Sequence, residues 1–247
     1  MPRETLPRQV VATAEYTVAD QERMKRATRY FEWQAAMAKA QLGRRVIEAG
    51  CGLGNFTQHL LDREVVIALD VAPECVAHLR ERFPEASHVR ARCLDVQDEA
   101  FLDLTAERPD SVVCLNVLEH VRDDFRALRH MHAVLPTGGR AVFILPAFES
   151  LYGPIDANLG HFRRYSKRGW SELAQRAGFR VKLARYTNSI GFFGWWVNAK
   201  VWRKTEQSEA QIAVFDWLLV PVMSRAERMI EPPVGQSIFT VLEKAPG

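Results

Sequence analysis

Short strand-like runs alternate with segments that favour helix along most of this chain. The runs lie at residues 44–50, 65–71, 87–93, 110–116 and 140–146. Segments that favour helix fall between them, near residues 55–63, 74–83, 97–104 and 119–135. Strand-like runs separated by helices of this length are typical of βαβ units. The pattern therefore predicts an α/β domain with a parallel sheet and helices on both of its faces.

Turn and capping residues support these boundaries. Pro73 suits the first turn of the second helix. Ser166 can cap a further helix, and Gly178 ends it. Two more strand-like runs occupy residues 179–187 and 237–244. The chain thus continues the alternation to its C-terminal part.

Three stretches fall outside the alternation. Residues 20–42 favour a helix that mixes charges with aromatic side chains. The stretch at 147–165 follows the fifth strand, and a stretch of about fifty residues before the last strand is too long for a plain connection. These limits predict three parts: an N-terminal helical cover (1–43), a central domain (44–187 with 237–247) and an inserted helical lid (188–236).

Composition narrows the classes of protein. The chain has 247 residues, 47% of them hydrophobic and 26% charged, which suits one globular domain with insertions. A net charge of +3 is too small to indicate a polyanionic partner. The four cysteines form no CxxC pair, so we expect reduced thiols. No signal-peptide pattern or long apolar span occurs, and we expect a cytoplasmic protein.

The first apolar run leads into the motif E-x-G-x-G-x-G at residues 48–54. Asn55 stands where a dinucleotide fingerprint needs its third glycine, and the Gly-Lys-Ser/Thr end of a P-loop is missing. Glu48 would repel a pyrophosphate, whereas it would attract a ligand ammonium group. The motif therefore favours an amino-acid-bearing nucleoside, and S-adenosylmethionine is such a ligand.

Acidic and apolar residues at the next strand ends can complete an adenosine site. Asp70 ends the second strand and can accept both ribose hydroxyls. Asp95 can accept the adenine amino group, or else cap the segment that follows it. A lone glycine turn or strand-end carboxylate is also compatible with a purely structural role. The predicted cofactor set is Glu48, Gly50, Cys51, Gly52, Asn55, Phe56, Asp70, Val71, Asp95, Val96 and Asn116.

Four segments, taken together, resemble class I S-adenosylmethionine-dependent methyltransferases. EAGCGLG resembles the first motif of that family, ALD its ribose acid, RCLDV its adenine segment and LNVLEHV its fourth-strand motif. The resemblance covers roughly residues 44–187 and the final strand. It implies a Rossmann-like, doubly wound, seven-stranded sheet in which six strands are parallel and the last is antiparallel. It also implies methyl transfer from S-adenosylmethionine.

The stretch after the fifth strand contains a GHFRRY segment. Similar GHxRRY segments occur in bacterial class I methyltransferases. His161 is the first candidate for a general base, because an unperturbed imidazole titrates near neutrality; it could equally pin the loop by a hydrogen bond. His120 and Tyr165 are further catalytic candidates. No metal-ligand spacing emerges among the histidines, so we expect no metal.

The predicted lid has the most unusual composition of the chain. Residues 188–202 hold five aromatic side chains, and a second apolar run occupies 212–223. Such a segment can pack on the domain beneath it or lie in the plane of a membrane surface. Either way it favours an apolar or aromatic acceptor. The predicted substrate-binding residues are Tyr152, Arg164, Phe192, Trp195 and Trp196.

The leading functional hypothesis is in-line methyl transfer to a small apolar or aromatic acceptor, at an oxygen atom. A lipid-linked acceptor at a membrane surface, with peripheral membrane contact, is the near variant. A nucleic-acid methyltransferase is less favoured, because NVLE stands where base N-methyltransferases have NPPY or DPPY. A non-catalytic cofactor-binding module is the remaining alternative, since fold alone does not fix function.

Overall fold

Seven strands form a single sheet in the computed structural model, which describes Glu22, residues 24–206 and residues 208–246. The part of the predicted N-terminal cover before Glu22 lies outside the described residues. The strands are β1 (Arg45–Ala49), β2 (Val65–Asp70), β3 (Val89–Cys93), β4 (Ser111–Leu115), β5 (Arg140–Pro146), β6 (Phe179–Thr187) and β7 (Ser237–Lys244).

The strand order across the sheet is β3-β2-β1-β4-β5-β7-β6. Neighbours from β3 to β5 run parallel, as in the pairs β1–β2 and β1–β4. Strand β7 is antiparallel to both β5 and β6. The predicted doubly wound sheet, with six parallel strands and an antiparallel last one, is therefore confirmed.

Helices cover both faces of the sheet and form the lid. The α-helices are α1 (Thr28–Lys39), α2 (Pro73–Arg82), α3 (Asp124–Val134), α4 (Pro154–Asn158), α5 (Lys167–Arg176), α6 (Ser189–Trp196), α7 (Glu209–Val214) and α8 (Val220–Met229). Short π-helical turns follow α6 and α7, at Val197–Val201 and Phe215–Leu219. Within the described part of the chain, every helix is too short or too polar to cross a bilayer.

Three predicted helices differ from the structure. The segments near 55–63 and 97–104 form 3₁₀ turns, at Thr57–Leu60 and Glu99–Glu107. Each residue of a 3₁₀ helix advances the chain by about 2.0 Å, against about 1.5 Å in an α-helix. A 3₁₀ helix can therefore cover the distance to the next strand with fewer residues. The third of these predicted helices, near 119–135, begins later than predicted, at Asp124. Asp123 caps α3 there, because its side chain accepts a hydrogen bond from the backbone N–H of Arg126 at 2.9 Å.

Two apolar clusters sandwich the sheet. Side chains alternate along each strand, so Ile47 and Phe143 face one cluster while Val46 and Val142 face the other. Trp170 of α5 is fully buried in the first cluster, with its ring 5.0 Å from that of Phe143. Burial on both faces explains why β2 and β5 are nearly continuous apolar runs in the sequence.

Helix α1 is tied to the lid as well as to the sheet. Trp33 packs against Val220 and Met223 of α8. The carboxylate of Asp216 accepts hydrogen bonds from the backbone N–H groups of Arg29 and Tyr30, at 3.2 and 2.8 Å. These N–H groups have no partner within the helix. A lid residue therefore caps a helix almost two hundred positions earlier in the chain.

A second buried carboxylate anchors the lid where it leaves the sheet. Glu227 of α8 accepts hydrogen bonds from the Thr187 hydroxyl at 2.9 Å and from the Asn188 backbone N–H at 3.1 Å. It also accepts bonds from the backbone N–H and the hydroxyl of Ser189, both at 2.8 Å. Glu227 thus joins α8, the end of β6 and the first turn of α6.

We expect Glu227→Gln to lower the free energy of unfolding by about 1–3 kcal/mol, because an amide nitrogen would face donors that now bond to a carboxylate. Denaturant unfolding of the purified variant measures this change. Glu231→Gln is the matched control, since Glu231 makes an exposed ion pair with Lys167. Its effect should stay below about 1 kcal/mol. Equal losses in the two variants would contradict the anchoring role of Glu227.

Candidate functional site

A cavity of about 1530 Å³ opens at the carboxyl edge of the parallel strands. The ends of β1, β2, β4 and β5 form its floor, and residues of α1 and the lid form the opposite side. Tyr30, Phe193, Trp195, Trp202 and Phe215 contribute aromatic surface to that side. This edge is where open α/β sheets bind their ligands.

The glycine motif makes a tight turn between β1 and the cavity. Gly50, Gly52 and Gly54 have φ values of +79°, +49° and +78°, a region that favours glycine. A Cβ atom at Gly50 would lie 2.2 Å from the side chain of Val117. The turn therefore needs glycine for both its conformation and its packing, and it exposes backbone to the cavity.

Glu48 is a buried carboxylate beneath this turn, with 3% of its surface exposed. Its Oε2 atom has no hydrogen-bond partner among the described residues. Burial, with a smaller contribution from Asp70, raises the pKa of Glu48 to about 8. An unpaired buried carboxylate is costly, whereas a nearby cation stabilises it. Glu48 therefore indicates where a cationic group of a ligand would bind.

Asp70 links the end of β2 to the glycine turn. Its Oδ2 atom accepts a hydrogen bond from the backbone N–H of Gly52 at 2.8 Å, and its Oδ1 atom accepts one from Ala72 at 3.0 Å. Burial raises its pKa above the usual value. Each carboxylate oxygen can accept a further bond, so Asp70 can still bind a pair of ligand hydroxyls.

Asp95 caps the segment that follows it and also lines the cavity. Its Oδ1 atom accepts a hydrogen bond from the backbone N–H of Gln97 at 2.8 Å, as a capping residue would. The side chain also lies on the cavity wall, beside Val71 and Val96. All of the predicted cofactor residues line this cavity: Glu48, Gly50, Cys51, Gly52, Asn55, Phe56, Asp70, Val71, Asp95, Val96 and Asn116.

Glu119, His120 and His161 form a second polar group, here called the polar wall, in the same cavity. The Glu119 side chain is buried, and its Oε2 atom lacks a hydrogen-bond partner among the described residues. Burial raises the pKa of Glu119 to about 7 and lowers that of His120 to about 3. The two imidazole rings are perpendicular, with centroids 4.6 Å apart. Glu119 stands next to His120 in the sequence, but the pattern gave no sign that it would be buried.

His161 is held in place by a buried carboxylate that sequence reasoning did not assign to the site. Its Nδ1 atom lies 2.8 Å from Oδ1 of Asp156. Asp156 also accepts hydrogen bonds from Arg164 Nε at 2.8 Å and from the Gly153 backbone N–H at 2.9 Å. His161 therefore makes a hydrogen bond that fixes the loop, and it also lines the cavity. Its two predicted roles, general base and support of the loop, do not exclude each other.

Four of the predicted catalytic and substrate-binding residues do not line the cavity. Tyr165 is buried, and its hydroxyl bonds to Asp124 Oδ2 at 3.0 Å. The Tyr152 hydroxyl donates to the backbone carbonyl of His161, Phe192 packs in the lid, and Trp196 is 48% exposed. We leave these residues out of the catalytic and acceptor-binding set proposed below.

Trp195 and Arg164 do line the cavity. The Arg164 guanidinium lies 4.7 Å from the centroid of the Trp195 ring. It also donates to Asp156 and, through Nη1, to the Ala147 carbonyl at 3.1 Å. Because these partners use its donors, Arg164 supports the loop around His161 rather than offering a free clamp for an anion.

Comparison with known proteins identifies the family to which this chain belongs. A family model described as a methyltransferase domain matches residues 21–183. The chain belongs to this methyltransferase family. The resemblance inferred from the four sequence motifs is thereby confirmed, and S-adenosylmethionine is the cofactor.

Curated relatives match only part of the methyltransferase. An uncharacterized methyltransferase from Exiguobacterium sibiricum is 31% identical over 133 residues, which are 53% of this chain and 57% of the relative. A ubiquinone biosynthesis O-methyltransferase from Xanthomonas campestris is 35% identical over 101 residues, which are 39% of this chain and 41% of the relative. The chain thus spans about half the length of the curated relatives it matches.

Solved structures share the fold of the methyltransferase at low identity. A chain from the complex of the Haloferax volcanii Trm112 methyltransferase activator with a methyltransferase has a TM-score of 0.65 and 17% identity, covering 96% of this chain and 97% of that one. The N-methyltransferase NodS from Bradyrhizobium japonicum, bound to S-adenosylhomocysteine, has a TM-score of 0.55 and 16% identity, covering 87% and 85%.

The residues present fit S-adenosylmethionine. The orphaned oxygen of Glu48 suits the ammonium group, and the exposed backbone of the glycine turn suits the carboxylate. Asp70 suits the ribose hydroxyls, and Asp95 with Val71 and Val96 suits the adenine.

We expect Glu48→Gln to weaken S-adenosylmethionine binding by about 10- to 100-fold, because a charge-assisted hydrogen bond to the ammonium group is lost. Calorimetric titration measures this change. 5′-Methylthioadenosine, which lacks the amino-acid part, is the control ligand, and its affinity should change by less than about threefold. Equal weakening for both ligands would indicate that Glu48 only supports the fold.

Proton release gives a second readout of the same contact. Free Glu48 has its pKa raised to about 8, so most molecules are protonated at neutral pH. An ammonium group favours the carboxylate, so binding near neutral pH expels a proton, and affinity rises as the pH approaches 8. Titration in buffers of different ionisation enthalpy detects this proton. The Glu48→Gln variant should release none from this position.

Proposed function

We propose that this methyltransferase transfers a methyl group from S-adenosylmethionine to an oxygen atom of a small apolar or aromatic acceptor. One observation carries the proposal. The cofactor-binding groups around Glu48 and the polar wall of Glu119, His120 and His161 line one cavity, beneath a lid rich in aromatic side chains.

The protein's own residues bind the cofactor, orient it toward the acceptor and take up the proton of the acceptor. When bound, S-adenosylmethionine would supply an electrophilic methyl group, which an acceptor oxygen would receive by in-line displacement of the sulfur. Glu48 would hold the ammonium group of the cofactor and Asp70 its ribose, so that the acceptor would meet the methyl group in one orientation. The polar wall takes up the proton of the acceptor hydroxyl. His161 is the first candidate, because Asp156 fixes its Nδ1 side and leaves Nε2 as the acceptor atom.

The lining of the cavity supports an apolar or aromatic acceptor. Tyr30, Phe193, Trp195, Trp202 and Phe215 supply ring surfaces on the lid side. Such rings bind flat apolar groups by burial and by edge-to-face contact. The name of the Xanthomonas relative, a ubiquinone biosynthesis O-methyltransferase, supports oxygen as the acceptor atom.

The outer surface of the lid supports the lipid-linked variant of this proposal. Phe193, Trp196, Trp202, Trp217 and Leu218, here called the lid surface, are each 48–69% exposed. Large apolar side chains exposed in this number on one segment are typical of interaction sites. Phe193 and Trp202 belong both to this surface and to the cavity lining. An acceptor with an apolar tail could therefore enter the cavity from a membrane surface.

We expect His161→Ala to lower kcat by about 100- to 10,000-fold while the affinity for S-adenosylmethionine changes little, because a general base acts only on the acceptor. The assay measures S-adenosylhomocysteine release with a panel of phenols, catechols and quinol lipids. His78→Ala is the control, since His78 lies on α2 outside the cavity. The absence of turnover with hydroxylated acceptors, in parallel with turnover on amines, would overturn the choice of oxygen.

Sedimentation with phosphatidylcholine–phosphatidylglycerol vesicles tests the lipid-linked variant. We expect the parent protein to bind, and Trp196→Glu combined with Trp217→Glu to reduce the bound fraction at least several-fold, because charged groups oppose insertion into the headgroup region. Leu102→Glu changes a partly exposed leucine outside the lid and should bind like the parent. If the parent protein does not bind, only a soluble acceptor remains.

A further inference from the structure

We propose that Glu119, His120 and His161 form a binding site for a divalent transition-metal ion on the cavity wall. Each side chain offers one donor atom, and the three atoms lie within 4.8 Å of one another. Donors bound to one ion at about 2.0–2.2 Å lie about 3–4 Å apart, so side-chain movements of about 1 Å would close the site. The three residues are not recognisable as a group in the sequence, because forty residues separate His120 from His161.

The imidazole of His161 is held in a way that suits metal ligation. Its Nδ1 atom bonds to the Asp156 carboxylate at 2.8 Å. A carboxylate only accepts, so Nδ1 carries the hydrogen and Nε2 keeps its lone pair. Metal-binding histidines commonly make this kind of outer hydrogen bond.

Glu119 supplies independent support for a ligand at this position. Its side chain is 1% exposed, and its Oε2 atom has no hydrogen-bond partner among the described residues. A buried carboxylate oxygen without a partner is costly, and a metal ion removes that cost. Asp156, by contrast, has its oxygens bonded to His161, Arg164 and Gly153. It therefore serves as the outer support of the site, and Glu119 serves as a ligand.

The donor set indicates the class of ion. Two imidazoles and one carboxylate suit Zn²⁺, Fe²⁺, Co²⁺ or Mn²⁺, whereas Mg²⁺ and Ca²⁺ prefer oxygen ligands. Three protein ligands leave coordination positions open toward the cavity, as in catalytic rather than structural metal sites.

The consequence for catalysis rests on the proposed function. An acceptor hydroxyl bound at an open position would lose its proton to solvent near neutral pH, because a divalent ion stabilises the alkoxide or phenolate. That oxygen then forms a bond to the methyl carbon while the carbon–sulfur bond breaks and its electron pair stays on sulfur. His161 would in this case act as a metal ligand, and direct proton transfer to it would not be needed.

Cobalt titration of the chelator-treated protein tests the site. We expect one Co²⁺ per chain, with d–d absorption bands that report nitrogen and oxygen ligands, and displacement of Co²⁺ by Zn²⁺. Glu119→Gln and His161→Ala should each weaken Co²⁺ binding by at least about 100-fold, and Asp156→Asn by about 10- to 100-fold. His78→Ala should bind Co²⁺ like the parent. Unchanged binding of 5′-methylthioadenosine shows that each variant is folded.

The outcomes separate this inference from the proposed function. Failure of the parent protein to bind Co²⁺ or Zn²⁺, or equal Co²⁺ affinity in the parent and in Glu119→Gln, would overturn the metal site. Methyl transfer by chelator-treated protein at the full rate would overturn the catalytic use of the ion and leave the proposed function intact. Metal binding without methyl transfer to any hydroxylated acceptor would support the site and overturn the proposed function.

Discussion

The parallel arrangement of β1, β2, β4 and β5 is the constraint on which the site depends. Parallel strands bring all of their carboxyl ends to one edge, so Glu48, Asp70 and Asn116 meet there although they lie far apart in sequence. The sheet is buried on both faces by two apolar clusters. This burial fixes the strand register, and the strand register fixes the distances between the polar groups.

Hydrogen-bond satisfaction divides the buried carboxylates of the described residues into two groups. Asp156, Asp216 and Glu227 are buried, but each accepts bonds from several donors of the protein. Glu48 and Glu119 are equally buried, yet one oxygen of each lacks a partner among the described residues. In a poorly solvated interior an unpaired carboxylate is costly. The two unsatisfied carboxylates line the same cavity, and both proposals above rest on them.

Much of the fold was predictable because apolar periodicity reports burial directly. The β5, β6 and β7 limits agree with the predicted runs, and Pro73 and Ser166 start helices as expected. The choice between α-helix and 3₁₀ turn was not predictable, since it depends on the distance that a short segment must span between two strands. The attachment of the lid was not predictable either, because Asp216 caps a helix that is remote in sequence.

By itself the sequence determined the α/β class, the glycine turn and the cofactor, because these depend on local motifs whose residues stand next to each other or at regular strand ends. Only the tertiary structure decided which residues form the polar wall. It buried Glu119 beside His120, brought His161 to the same wall, and kept Tyr165 out of the cavity. Those outcomes depend on how the loop after β5 folds back over the sheet. Burial and hydrogen bonding between distant segments produce no regular spacing of residues that a single sequence could show.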